Sequence, residues 1–103
     1  MDARQLKDLA WIGDAVLALY AREWLLEQPQ HPLFTRQELF IKFTSNSFLQ
    51  ALGEPTWVEA QIGIQYKHGG LPAGFDYIDK QLKPLFRKHL NNVSRGRRGQ
   101  KRG

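Results

Sequence analysis

Two carboxylates, Asp14 in LAWIGDAVLALY and Glu59 in WVEAQIGIQY, each lie close to a glycine inside a stretch that otherwise reads as helix. A glycine in a helix interior costs roughly 1 kcal/mol relative to alanine. Carrying Gly13 and Gly63 in such positions implies that two helix backbones approach closely there. Ala60 adds a second small residue beside Glu59, so Asp14 and Glu59 are expected to face each other across a narrow gap. Two anions in such a gap repel, and a shared proton, an arginine or lysine, or a divalent cation relieves the mismatch. With oxygen ligands and no cysteine in the chain, the cation that suits the pair is Mg²⁺ or Mn²⁺. The alternative is structural: Asp14 bonds a neighbouring backbone group or pairs with Arg22 or Lys67. His31, His68 and His89 have no metal-like spacing and read as surface or helix-end residues.

The elements that must position these acids are helical. From Ala3 to Glu27, Leu6, Leu9, Gly13, Val16, Tyr20 and Trp24 recur every three or four residues, one face of a 3.6-residue period. Ala10, Leu17 and Leu25 widen that face and predict a central helix, which Pro29 and Pro32 stop. Thr35 with Glu38 forms a capping-box signature for a short second helix. Ser45 or Asn46 caps a third, and Gly53 closes it. Pro55 suits the first turn of a fourth, running to about Lys67 and ended by His68-Gly69-Gly70. A last helix is predicted from Phe75 to about Leu90, kinked or divided near Pro84. No segment alternates with period two, so the expected fold is all-α, a compact bundle of four to six helices.

The 103 residues suffice for one core. They divide into a helical domain over 1–92 and a basic tail over 93–103. The charge follows the same division: residues 1–92 hold ten Lys/Arg against ten Asp/Glu. The whole excess of +5 comes from Arg95, Arg97, Arg98, Lys101 and Arg102 in VSRGRRGQKRG. That tail is predicted to be disordered and to contact phosphates without reading sequence, or else to act only as a solubilising end. Absence of cysteine, of a secretory signal and of any membrane-length apolar run points to a soluble cytoplasmic protein with no membrane partner.

The blocks that carry these features resemble the catalytic domain of the ribonuclease III family. Leu9-Ala10-Trp11-Ile12-Gly13-Asp14-Ala15-Val16-Leu17 is similar to its E-F-L-G-D-A-V-L signature helix. Thr44-Ser45-Asn46-Ser47-Phe48-Leu49 resembles V-S-N-x-x-L, and Glu59-Ala60-Gln61-Ile62-Gly63-Ile64-Gln65-Tyr66 with Gly69-Gly70-Leu71 resembles E-A-L-I-G-A-I-Y…G-G-L. The three blocks keep their order from residue 9 to residue 71. Ala10 and Thr56 stand where full-length members carry further acids, which looks like the Mini-ribonuclease III branch, also without a separate RNA-binding domain. Only twelve residues separate Asn46 from Glu59, where the family inserts further helix and an RNA-contacting loop.

The resemblance implies Mg²⁺-assisted hydrolysis of double-stranded or structured RNA, such as a ribosomal RNA precursor, with Asp14 and Glu59 as catalytic and metal-holding residues. It also implies a symmetric homodimer in which Trp11 enters the partner, although Trp11 also fits an ordinary core position. Two other readings stand beside it. One is a degenerate domain that dimerises and binds double-stranded RNA without cutting it. The other is a helical protein-interaction module.

Overall fold

A computed structural model describes residues 1–100, and the side chains of residues 1–95. Five helices follow in order: α1 Ala3–Glu27, α2 Arg36–Phe43, α3 Asn46–Leu49, α4 Pro55–Gln81 and α5 Lys83–Gln100. No strand occurs among the described residues, so the fold is all-α. No helix among them is long and apolar enough to cross a membrane.

The helix starts follow local hydrogen-bond chemistry. Asp2 caps α1, accepting from the Gln5 amide while the Gln5 side chain accepts from the Asp2 amide. Thr35 and Glu38 make the predicted reciprocal pair at α2, at 3.1 and 2.9 Å. The Ser45 hydroxyl accepts from the Phe48 amide at α3. Glu54 caps α4, leaving Pro55 in its first turn, where a missing N–H costs nothing.

Helix α1 is the axis of the molecule. Its buried residues, Ala10, Gly13, Val16, Leu17, Tyr20, Ala21 and Leu25, form one continuous stripe. Around its C-terminal half lies an aromatic core in which the Phe86 ring of α5 meets Phe43 of α2 edge-on at 4.7 Å. Phe48 of α3 packs on the same two rings at 5.7 and 5.2 Å. Trp24 and Tyr20 of α1 complete the cluster against Phe43. Sinking Phe43, Phe86, Leu17, Leu49, Ile62 and Ile78 away from water, at about 2 kcal/mol each, is what holds the short elements to the axis.

Helix α4 is two helical arms meeting at a kink, and the first arm ends at Gly70, where His68-Gly69-Gly70 predicts its end. Gly70 adopts φ 73°, ψ −166°, a conformation that L side chains rarely take, and Pro72 follows two residues later. The second arm starts earlier than the predicted Phe75. It returns to α1, with Phe75 edge-on to Tyr20 at 5.3 Å and the Tyr20 hydroxyl donating to Asp79. The expected division near Pro84 occurs at Leu82, so Pro84 falls in the first turn of α5.

The C-terminal segment departs from the sequence reading. Helix α5 continues to Gln100, past the end near Leu90 that the pattern predicts, and residues 101–103 of the predicted tail lie outside the described residues. The physical reason lies in Leu90 and Val93, which pack against the core and carry the helix past the predicted stop.

Candidate active site

The crossing of α1 and α4 is set by the two glycines. A Cβ on Gly13 would stand 1.7 Å from the carbonyl oxygen of Glu59, and one on Gly63 would stand 2.1 Å from that of Leu9. The contact is reciprocal: each glycine receives the carbonyl of the residue four places before the other. The glycine hydrogens that replace Cβ point at those oxygens, a weak Cα–H···O pairing that only this side-chain-free approach allows. The sequence expectation of two closely approaching backbones is therefore met at atomic contact.

This crossing brings the acids together. Asp14 follows Gly13 directly, and Glu59 supplies the carbonyl on which Gly13 rests. Asp14 lies close enough to Glu59 to oppose ionisation of its carboxyl. The Glu59 carboxyl is pushed up from 4.5 to about 7, first by burial, then by the hydrogen bond to Asp14, then by repulsion from Asp14 and from Glu54. Glu59 is half-buried and Asp14 exposed, so the pair opens on the surface.

The structural alternatives for Asp14 do not occur among the described residues. Arg22 donates to the Ala18 carbonyl at 3.4 Å and lies over the Phe40 ring at 4.2 Å. The ion pairs between described residues are Lys80–Asp76 and Lys83–Asp79, each at 2.9 Å along a helix, and Asp14 takes part in neither. Two hard oxygen donors with no cationic partner among the described residues, one of them pushed up by burial and by the other, fit a divalent cation that keeps most of its water. No group of three or more histidine, cysteine, aspartate or glutamate side chains suited to a metal occurs among the described residues. Ala10 and Thr56, where the resemblance expects further acids, are buried and half-buried respectively.

Trp11 is 81% exposed, so its ordinary-core reading is excluded. It heads a surface stripe on α1 with Ala15, Leu19 and Leu26, spaced four, four and seven residues apart opposite the buried face. Of the tail residues expected to bind RNA, Arg95 is exposed on α5. The side chains of Arg97 and Arg98, and all of Lys101 and Arg102, lie outside the described residues.

Sequence reasoning passed over one polar tie. The Tyr20 hydroxyl donates to Asp79, which Lys83 also contacts at 2.9 Å. That hydrogen bond and the salt bridge hold the Asp79 carboxyl below its ordinary range. A tyrosine on the buried stripe of α1 was the available signal, since a buried phenol requires a partner.

Compared with known proteins, the chain matches no family model, no curated protein and no solved structure.

Proposed function

We propose that this chain is an endoribonuclease of the ribonuclease III type, closest to the Mini-ribonuclease III branch. In this reading it hydrolyses double-stranded or structured RNA, such as a ribosomal RNA precursor, as a homodimer. The observation that carries it is the meeting of Asp14 and Glu59 at a glycine-packed helix crossing, with no lysine or arginine among the described residues paired to them. The residue blocks around both acids support the same reading, in their family order.

Asp14 and Glu59 would hold Mg²⁺ or Mn²⁺, which when bound supplies Lewis-acid activation of water and stabilises charge developing on the phosphate. A cation would be held by the ionised Glu59 carboxyl, so its binding would be coupled to proton release and would strengthen as pH rises toward 7. Asp14, exposed beside it, completes the acceptor pair and faces the solvent from which water and phosphodiester arrive. The rigid crossing keeps both carboxyls in one place without help from flexible loops. Trp11, with Ala15, Leu19 and Leu26, offers the apolar stripe for the second copy, which would give the duplex two acid pairs, one for each strand.

A second reading, duplex binding without cleavage, is favoured by the short Asn46–Glu59 connection and by the presence of only two acids. A cleavage assay separates them. Purified protein with long duplex RNA and millimolar Mg²⁺ or Mn²⁺ should yield short duplex products, and Asp14→Asn or Glu59→Gln should abolish cleavage while retaining RNA affinity. Wild-type protein that binds the duplex and leaves it intact across both metals refutes the nuclease and leaves the binder.

A further inference from the structure

A groove of about 410 Å³ lies between α2, α3 and α5, on elements that carry neither Asp14 nor Glu59. Its polar lining is Lys42, Ser45, Ser47, Lys88, His89 and Asn92, with Phe48 and Leu85 beneath them. No carboxylate lines it. Neither lysine is ion-paired among the described residues. Lys42 is steadied over the Phe34 ring at 5.0 Å, and Glu38, one turn earlier on α2, is engaged by the Thr35 amide. Lys88, His89 and Asn92 are exposed.

The groove does not stop at its rim. Lys88, Asn92 and Arg95 are spaced four and three residues apart, so they share one face of α5. At 1.5 Å rise per residue that face runs about 10 Å, enough to follow roughly three backbone steps of one nucleic-acid strand. After Asp79 the chain contains no further acid. The apolar residues of α5, Leu85, Phe86, Leu90 and Val93, are turned inward against the core. The helix thus has no apolar face left to insert in a lipid surface, which an amphipathic membrane binder needs. A row of cations and amide groups along one helix face matches a regular line of phosphates, and the apolar groups exposed in the groove lining, Ile41 and Ala51, sit on the α2–α3 side away from that row.

We infer that the Lys42–Lys88 groove and the Asn92–Arg95 face of α5 form a second, non-catalytic site that grips the phosphate backbone of duplex RNA. This inference deepens the ribonuclease reading, on which its choice of RNA as the polyanion rests. It adds phosphate contacts on α5 and its neighbours to those expected of the tail residues Arg97, Arg98, Lys101 and Arg102. Each lysine contributes a phosphate contact and a released counterion, so each sets about one unit of the salt dependence.

The test is anisotropy of a labelled short RNA duplex in EDTA, titrated between roughly 50 and 200 mM salt. Wild-type protein is compared with Lys42→Gln/Lys88→Ala, with Lys88→Glu alone, and with Lys7→Ala on α1 as a cation outside the groove. The double variant should lower the salt slope by about 2 and Lys88→Glu by at least about 1, while Lys7→Ala leaves it unchanged. Lys88 is exposed, so the single variant stays informative if the double variant loses its melting transition. Cleavage is read separately in Mg²⁺. Wild-type protein that cuts RNA while both groove variants keep its slope overturns the groove alone. A groove-dependent slope without cleavage overturns the nuclease alone, and absence of duplex binding overturns both. Equal groove-dependent binding to anionic vesicles or to poly-glutamate would overturn the assignment to nucleic acid.

Discussion

Replacing Glu59 by glutamine should stabilise the protein at high pH, the opposite of the usual effect of changing a half-buried polar residue. In the folded state the carboxyl titrates near 7 rather than 4.5, because burial and Asp14 oppose its charge. Its contribution to stability is therefore fully present below about pH 4.5 and is lost as pH rises through about 7. The full displacement corresponds to a ceiling of about 3 kcal/mol. Asp14 is exposed and the pair is partly hydrated, so screening reduces this to about 1–2 kcal/mol. Glutamine cannot ionise and its amide can donate to Asp14, so Glu59→Gln keeps the contact and escapes the decline. Urea or thermal unfolding in EDTA from about pH 4 to 9 should give coincident stabilities at the acidic end. Near pH 9 the variant should be ahead by about 1–2 kcal/mol, or about 5–15 °C in a domain of this size. Millimolar Mg²⁺ at pH 8 should raise the wild type selectively and narrow the gap. A pH-independent difference, or a variant less stable than wild type at pH 9, refutes the reasoning about the pair.

Gly13→Ala and Gly63→Ala should each cost about 3 kcal/mol or leave no cooperative transition, because the added Cβ meets carbonyl backbone at 1.7 and 2.1 Å and backbone cannot step aside as a side chain can. Chemical denaturation checks this, and a loss under 1 kcal/mol would contradict the close crossing. Trp11→Ala should leave monomer stability within about 0.5 kcal/mol, since the ring is 81% exposed, yet weaken self-association by an order of magnitude or more. Sedimentation velocity over a concentration series reads it, and unchanged association would remove Trp11 from the interface.

The fold was legible where local chemistry decides it. Capping pairs at Thr35 and Ser45, Pro55 in a first turn, and the paired prolines after Glu27 each act through neighbours within four residues, so sequence spacing reveals them. The glycines at 13 and 63 were legible for a different reason. A helix former avoids them, and only a second backbone explains two. What sequence could not supply is where α4 resumes after Gly70 and how far α5 runs, because both depend on contacts from distant segments. Phe75 finds Tyr20, and Leu90 with Val93 finds the core. The Tyr20–Asp79 tie and the Lys42–Lys88 groove were hidden for the same reason. Each joins residues far apart in the chain whose individual types, a core tyrosine or a surface lysine, signal nothing alone.

The geometry separates the fold of the crossing from its chemistry, and that separation makes the functional experiments interpretable. The distance between α1 and α4 is set by backbone resting on glycine, not by the carboxyls, which stand at the edge of the contact. Amides at 14 and 59 have nearly the volume of the acids they replace and lose only charge. Asp14→Asn should therefore keep the helix content, melting cooperativity and RNA affinity of the wild type, and a loss of cleavage in it reports chemistry. Gly13→Ala perturbs the same few ångströms and should lose the fold and the activity together. If Asp14→Asn instead behaves like Gly13→Ala, with melting and cleavage lost in parallel, then the acid is part of the scaffold and the case for a cation held by this pair fails.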